Sequence, residues 1–101
     1  MKVLLLMTWE NPKSEETLKK YYAYGAETRE YREERRKKYN VKSSTWADGT
    51  GKLYYMLEFE NYEVYAKFMD DQELQTIWIK SFRTVDNAEM KVLRGAIQAP
   101  P

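Results

Sequence analysis

The sequence predicts an α+β domain with the element order strand, helix, strand, strand, helix, strand. Three observations carry that expectation. Two segments, Val3-Leu4-Leu5-Leu6-Met7-Thr8-Trp9 and Leu53-Tyr54-Tyr55-Met56-Leu57-Glu58-Phe59, are apolar on both faces, as strands are when a sheet is covered on both sides. Helix-like segments follow each of them, opened by Ser14 and Asn61 as N-caps. Between them, Asp48-Gly49-Thr50-Gly51 is a hairpin signal.

Taken in order, Asn11-Pro12-Lys13-Ser14 ends the first strand, and Glu15 and Glu16 occupy the positive end of the next helix dipole. That helix is expected to run to Lys38 or Tyr39, with Asn40 as a left-handed stop. Its apolar residues cluster early, at Leu18, Tyr21, Tyr22, Tyr24 and Ala26. Its second half reads as exposed, held by the i,i+4 pairs Glu33–Lys37 and Glu34–Lys38, as Glu15–Lys19 and Glu16–Lys20 hold the first. Gly25 marks a bend, a close contact or a tolerated glycine. Residues 41–47 alternate weakly and carry Lys42, which reads as an edge strand.

The second helical region is expected as two pieces. Val64, Tyr65 and Phe68 stand at helical spacing in residues 62–69, and Leu74, Ile77, Trp78 and Phe82 form one stripe in residues 73–85. Asp70-Asp71-Gln72 interrupts them, and Asp86-Asn87 turns the chain into a last strand over residues 89–97. Residues 1–97 thus make one domain, and 98–101 a flexible tail. Right-handed crossovers give a ferredoxin-like split β-α-β arrangement with an antiparallel sheet of order 4-1-3-2. The two apolar segments become its central strands. Two helices cover one face, so the missing cover on the other is a second copy of the chain or a ligand held between copies.

Composition narrows the chemistry. The 101 residues fit one small core, and a formal charge of +1 supplies no field for nucleic acid or an anionic membrane. There is no cysteine and no histidine. Disulfides, thiolate chemistry, the commonest general base and the commonest neutral metal ligand are therefore absent, and the chain suits a reducing cytoplasm. The first apolar run is too short for a bilayer and has no small-residue cleavage pattern after it, so it reads as a strand. No cofactor or metal is expected. An RNA-recognition sheet needs paired exposed aromatics on its central strands, and only Tyr54 of Lys52-Leu53-Tyr54-Tyr55-Met56 matches.

The opening strand with its helix start, and Leu57-Glu58-Phe59-Glu60-Asn61-Tyr62-Glu63-Val64-Tyr65-Ala66-Lys67-Phe68, resemble the stress-responsive dimeric α/β-barrel proteins. The resemblance implies a homodimer in which two ferredoxin-like sheets enclose a dimeric α/β barrel, with a pocket between sheet and helices in each subunit. It also implies a small apolar or aromatic ligand, with a cofactor-independent oxygenase, isomerase or cyclase among the activities. The alternative is a non-catalytic oligomerisation or regulatory module with a filled interior. Polyketide-cyclising relatives use histidine in the loop that here reads Asp70-Asp71-Gln72-Glu73, so their chemistry is not expected.

Six residues stand out as candidate ligand contacts: Trp9, Tyr55, Tyr65, Phe68, Trp78 and Arg94. Each has a structural reading beside the functional one. Trp9 and Tyr55 line a pocket or pack in the core or dimer seam, with packing favoured. Tyr65, Phe68 and Trp78 pack on the sheet or form a pocket wall, packing again favoured. Arg94 and Glu58 pair with each other, anchor an anion, or sit at strand ends near water. The acidic turn at Asp70, Asp71 and Glu73 reads as a solvated cap. The basic cluster Arg32, Arg35, Arg36, Lys37, Lys38 and Lys42 reads as a solvated helix face. Acid–base work, if present, would fall to Tyr55, Glu58 or water tuned by Arg94.

Overall fold

The structure, a computed structural model, describes residues 1–95. Its elements are β1 (Val3–Glu10), α1 (Glu15–Lys38), β2 (Lys42–Ala47), β3 (Lys52–Phe59), α2 (Tyr62–Met69), α3 (Gln72–Phe82) and β4 (Asp86–Arg94). The expected extension of the last strand to residue 97 and the tail 98–101 lie outside the described residues. Among the described residues no helix is long and apolar enough to cross a membrane.

The four strands form one antiparallel sheet of order β2-β3-β1-β4, which is the expected 4-1-3-2 order read from the other edge. The two apolar segments are its central strands. Register sorts their side chains, because directly opposed residues share a face. Val3↔Phe59, Leu5↔Leu57, Met7↔Tyr55 and Trp9↔Leu53 stand on the face beneath the helices. Leu4↔Glu58, Leu6↔Met56 and Thr8↔Tyr54 stand on the other. The core lies on the helix side: Val3, Leu5, Met7, Leu57 and Phe59 from the sheet meet Phe68, Leu74, Ile77 and Trp78 from α2 and α3. The opposite face has no helix over it among the described residues, and Trp46 and Leu93 are exposed on it.

Local chemistry sets the boundaries. Ser14 caps α1 by accepting from the Thr17 N–H, and Asn61 caps α2 by accepting from Val64 N–H at 2.9 Å. Asn40 ends α1 at φ 51°, a left-handed position that asparagine tolerates. The hairpin is tied by Asp48, whose carboxylate accepts from the Thr50 hydroxyl and N–H, the Lys52 N–H and the Tyr54 hydroxyl. These bonds, that of the Thr50 hydroxyl first, hold its pKa down at about 2. Between Thr8↔Glu89 and Glu10↔Asp86, β4 carries one residue more than β1. This bulge sits opposite Trp9 and places Asn87 at φ 53°, where its side chain donates to Glu10.

α1 differs most from its sequence reading. None of its residues is buried, yet it is not simply a solvated rod. Tyr24, Thr28, Tyr31, Arg35 and Tyr39 recur every three or four residues and so lie on one face. Along it, Tyr24 meets the Lys80 ammonium at 4.6 Å, and Tyr39 packs edge-on against Phe68 at 6.0 Å. Between these contacts lies Asp71, the N-cap of α3. Its carboxylate accepts from Leu74 N–H at 3.0 Å and from the Tyr31 hydroxyl at 2.8 Å, and pairs with Arg35 Nε at 3.0 Å.

The acidic turn keeps its expected cap and leaves Asp70 and Glu73 exposed, but Asp71 is in addition a clamp between helices. Burial pushes the Asp71 carboxyl up, but the Leu74 N–H, the Tyr31 hydroxyl and the Arg35 charge together bring its pKa below the ordinary value. The expected Glu33–Lys37 and Glu34–Lys38 pairs give way to Arg29–Glu33 at 2.9 Å, while the two expected pairs of the first half form.

Replacing Asp71 with alanine removes a cap and leaves Tyr31 and Arg35 without their acceptor. Urea unfolding is expected to show a loss of about 2–4 kcal/mol. Asp71→Asn keeps the cap and is expected to lose less, whereas equal losses would mean that the charge contributes most of the stabilisation.

Candidate functional site

With α1 clamped through one face, its neighbouring face looks across the sheet and reaches it through long polar side chains. A cleft of about 530 Å³ opens there. The sheet contributes Met7, Trp9, Ser43, Thr45 and Tyr55 to its wall, and α3 contributes Trp78, Ser81 and Phe82. α1 contributes Tyr21, Tyr22, Gly25, Ala26, Arg29, Arg32, Glu33 and Arg36, a second stripe with helical spacing. Small residues at the middle of this stripe keep the space open. A Cβ built on Gly25 would meet only Arg32 Nη2, at 4.0 Å, so this glycine does not mark a close backbone approach.

The sheet wall of the cleft is aromatic. Trp9 packs edge-on against Tyr55 at 6.5 Å and tilts against Phe82 at 6.1 Å. Trp9 is only 8% exposed, and its indole Nε1–H has no hydrogen-bond partner. The Tyr21 phenol stands near it on the α1 wall without closing a bond of ordinary geometry. Burial raises the Tyr21 pKa above its ordinary value against the opposing charge of Arg32.

The α1 wall is cationic. Arg36 Nη1 donates to the Tyr55 hydroxyl at 3.0 Å. Arg32 donates from Nη2 to the Gly25 carbonyl at 2.6 Å and from Nε to Thr28 Oγ1 at 3.3 Å. Among the described residues neither guanidinium reaches a carboxylate, since Glu33 pairs with Arg29 and Asp71 with Arg35. Burial lowers the Arg32 pKa from its ordinary value, and the nearby charge of Arg36 lowers it further.

Of the six sequence-predicted contacts, the structure brings Trp9, Tyr55 and Trp78 together in this cleft. Phe68 is sealed in the core among Phe59, Tyr39 and Trp78. Tyr65 packs edge-on against Phe59 at 5.3 Å, outside the cleft lining. Arg94 stands at the end of β4, stacked over Tyr62 at 4.7 Å. It cannot pair with Glu58, which lies on the other sheet face and meets Lys2 at 3.6 Å. The sequence reading missed Tyr21, Arg32 and Arg36 as cleft residues. Their i,i+4 and i,i+7 spacing from one another and from Gly25 was the available signal, hidden because arginine interrupts a pattern sought in apolar residues. No group of three or more acidic side chains among the described residues could hold a metal ion.

Comparison with protein-family models, curated proteins and solved structures gave no match to this chain. The functional reading therefore rests on the cleft and on the residues around it.

The two sheet aromatics are expected to respond differently to truncation. Trp9→Ala removes a buried ring and should cost about 3–5 kcal/mol in chemical denaturation. Tyr55→Phe loses one hydrogen bond to a half-exposed arginine, and should cost about 1 kcal/mol or less. A large loss in Tyr55→Phe would show that the Arg36 bond holds α1 in place.

Proposed function

We propose that the protein is a homodimeric small-molecule-binding protein whose ligand, apolar or aromatic in its body, sits between the helices and the sheet of each subunit. The observation that carries this reading is the cleft beside Trp9. Its volume is within the range of small-molecule sites, and its aromatic walls with a few convergent polar groups fit their usual make-up. The alternative of a filled interior is disfavoured by the same space. Without histidine the walls offer Tyr21, Tyr55 and the arginines, groups that suit holding and orienting a ligand better than moving protons near neutral pH. Binding is therefore favoured over catalysis.

The dimer supplies the cover that the second sheet face lacks. Leu4, Leu6, Met56 and Leu93 form an apolar band on that face, with Tyr54 and Trp46 beside them. Four strands of about eight residues project to about 500 Å², and side-chain relief raises the accessible area toward the about 800 Å² per partner of a standard interface. Lys42, Glu58, Lys52, Glu89 and Lys91 share the face with both signs mixed, so a second copy meets no single-sign repulsion. The likeness of the two quoted stretches to dimeric α/β-barrel proteins supports the same arrangement, sheet against sheet.

Light scattering at micromolar concentration is expected to give twice the chain mass, and Leu6→Lys with Met56→Lys to give the monomer. A monomeric unaltered protein would remove the dimer from this reading. For the ligand, titration with 2-naphthalenemethanol is expected to shift the indole N–H resonances of Trp9 and Trp78 and leave that of Trp46 in place. Shifts confined to Trp46, or none, would overturn the cleft as the binding site.

A further inference from the structure

Two guanidiniums without a carboxylate partner among the described residues share one aromatic cleft. From this we infer that the ligand is an aromatic carboxylate, its ring against Trp9, Tyr55 and Phe82 and its carboxylate taken by Arg32 and Arg36. The inference rests on the cleft being a ligand site and adds the chemical class of the ligand.

The charge inventory points one way. Four charged residues line the cleft, namely Arg29, Arg32, Glu33 and Arg36. Arg29 and Glu33 neutralise each other at 2.9 Å. Arg32 and Arg36 remain, one helical turn apart and without a carboxylate among the described residues. Their partners are all neutral: the Gly25 carbonyl, the Thr28 hydroxyl and the Tyr55 hydroxyl. Each guanidinium has five N–H donors, so most of those on Arg36 and several on Arg32 stay free for an acceptor. Like charges held this close repel, and burial adds to the cost at Arg32. One anion between them offsets both effects, and planar carboxylates match the guanidinium fork.

The aromatic wall is independent of the arginines: Trp9, Tyr55 and Phe82 pack ring against ring along the sheet side of the cleft. A wholly apolar ligand would leave both guanidiniums unmet. A phosphate ester without a ring would meet the cations but not the indole and phenyl walls.

The test is calorimetric titration of the full chain with 2-naphthoate and with 2-naphthalenemethanol, in a buffer free of phosphate and carboxylate. The acid is expected to bind about tenfold or more tightly than the alcohol, and added NaCl to weaken the acid alone. The Arg32→Gln, Arg36→Gln double variant is expected to bind both equally, while Lys37→Gln, exposed on the same helix, keeps the preference. If the double variant does not fold by circular dichroism, Arg36→Gln alone is expected to lose most of the preference. Equal binding of acid and alcohol by the unaltered protein, or a preference that survives both arginine substitutions, overturns the carboxylate while the cleft remains an aromatic site. Binding of neither compound overturns the inference and the cleft reading together.

Discussion

The Asp71 carboxylate is the junction on which the arrangement of this protein depends. α1 buries no residue, so the hydrophobic effect alone fixes neither its height above the sheet nor its rotation. What orients it is a polar seam, with Tyr31 and Arg35 gathered on a carboxylate that also caps α3. A carboxylate that accepts two hydrogen bonds beside its ion pair is better placed than a solvent-exposed ion pair alone, whose contribution is usually small. Tyr24 on Lys80 and Tyr39 on Phe68 hold the helix on either side of that point. Rotation is then set, and with it the face that carries Arg32 and Arg36 is turned over Tyr55. The cleft is the result of a helix attached by its flank instead of its apolar face.

The same constraint explains why the core is narrow. The buried side chains come from β1, β3, α2 and α3, while the edge strand β2 is exposed throughout. Ser43 and Thr45 of β2 face the cleft and not a packed layer. On β4, Met90 and Val92 share the helix-side face and yet are 43% exposed, because the helices sit over the middle of the sheet. The two-sided apolar character of β1 and β3 therefore has two causes. Odd-numbered residues serve the core of the chain itself, and even-numbered residues serve a face that no element among the described residues covers.

Much of the fold could be read in the sequence because its signals are local. Caps at Ser14 and Asn61, the left-handed Asn40 and the Asp48 hairpin are each set by one side chain and its immediate neighbours. Strand order followed once the two apolar segments were placed at the centre. Asp71 was harder, since a capping aspartate looks the same in sequence whether water or a distant tyrosine takes its second oxygen. The site was less legible for a related reason. Trp9, Tyr55 and Trp78 were visible as aromatics at inward positions, but Tyr65 and Phe68 share that pattern and lie elsewhere. Arg32 and Arg36 belonged to a basic run whose charge is locally balanced by glutamates. Only the structure shows that Glu33 is taken by Arg29 and Asp71 by Arg35, leaving these two arginines without a counter-charge among the described residues.

That selective pairing bears on what kind of site this is. A surface helix rich in Arg and Glu lowers its energy by pairing as many charges as spacing allows. On α1 that spacing offers Arg32 no glutamate and offers Arg36 only Glu33, which Arg29 takes, and both arginines turn toward neutral hydroxyls and a carbonyl beside an aromatic wall. Hydrogen bonds to neutral groups position a guanidinium but do not discharge it. The arrangement keeps two charges oriented and available in a partly desolvated place, where attraction to an opposite charge is stronger than in water. On the proposed reading, such a wall selects its ligand by charge and by shape together.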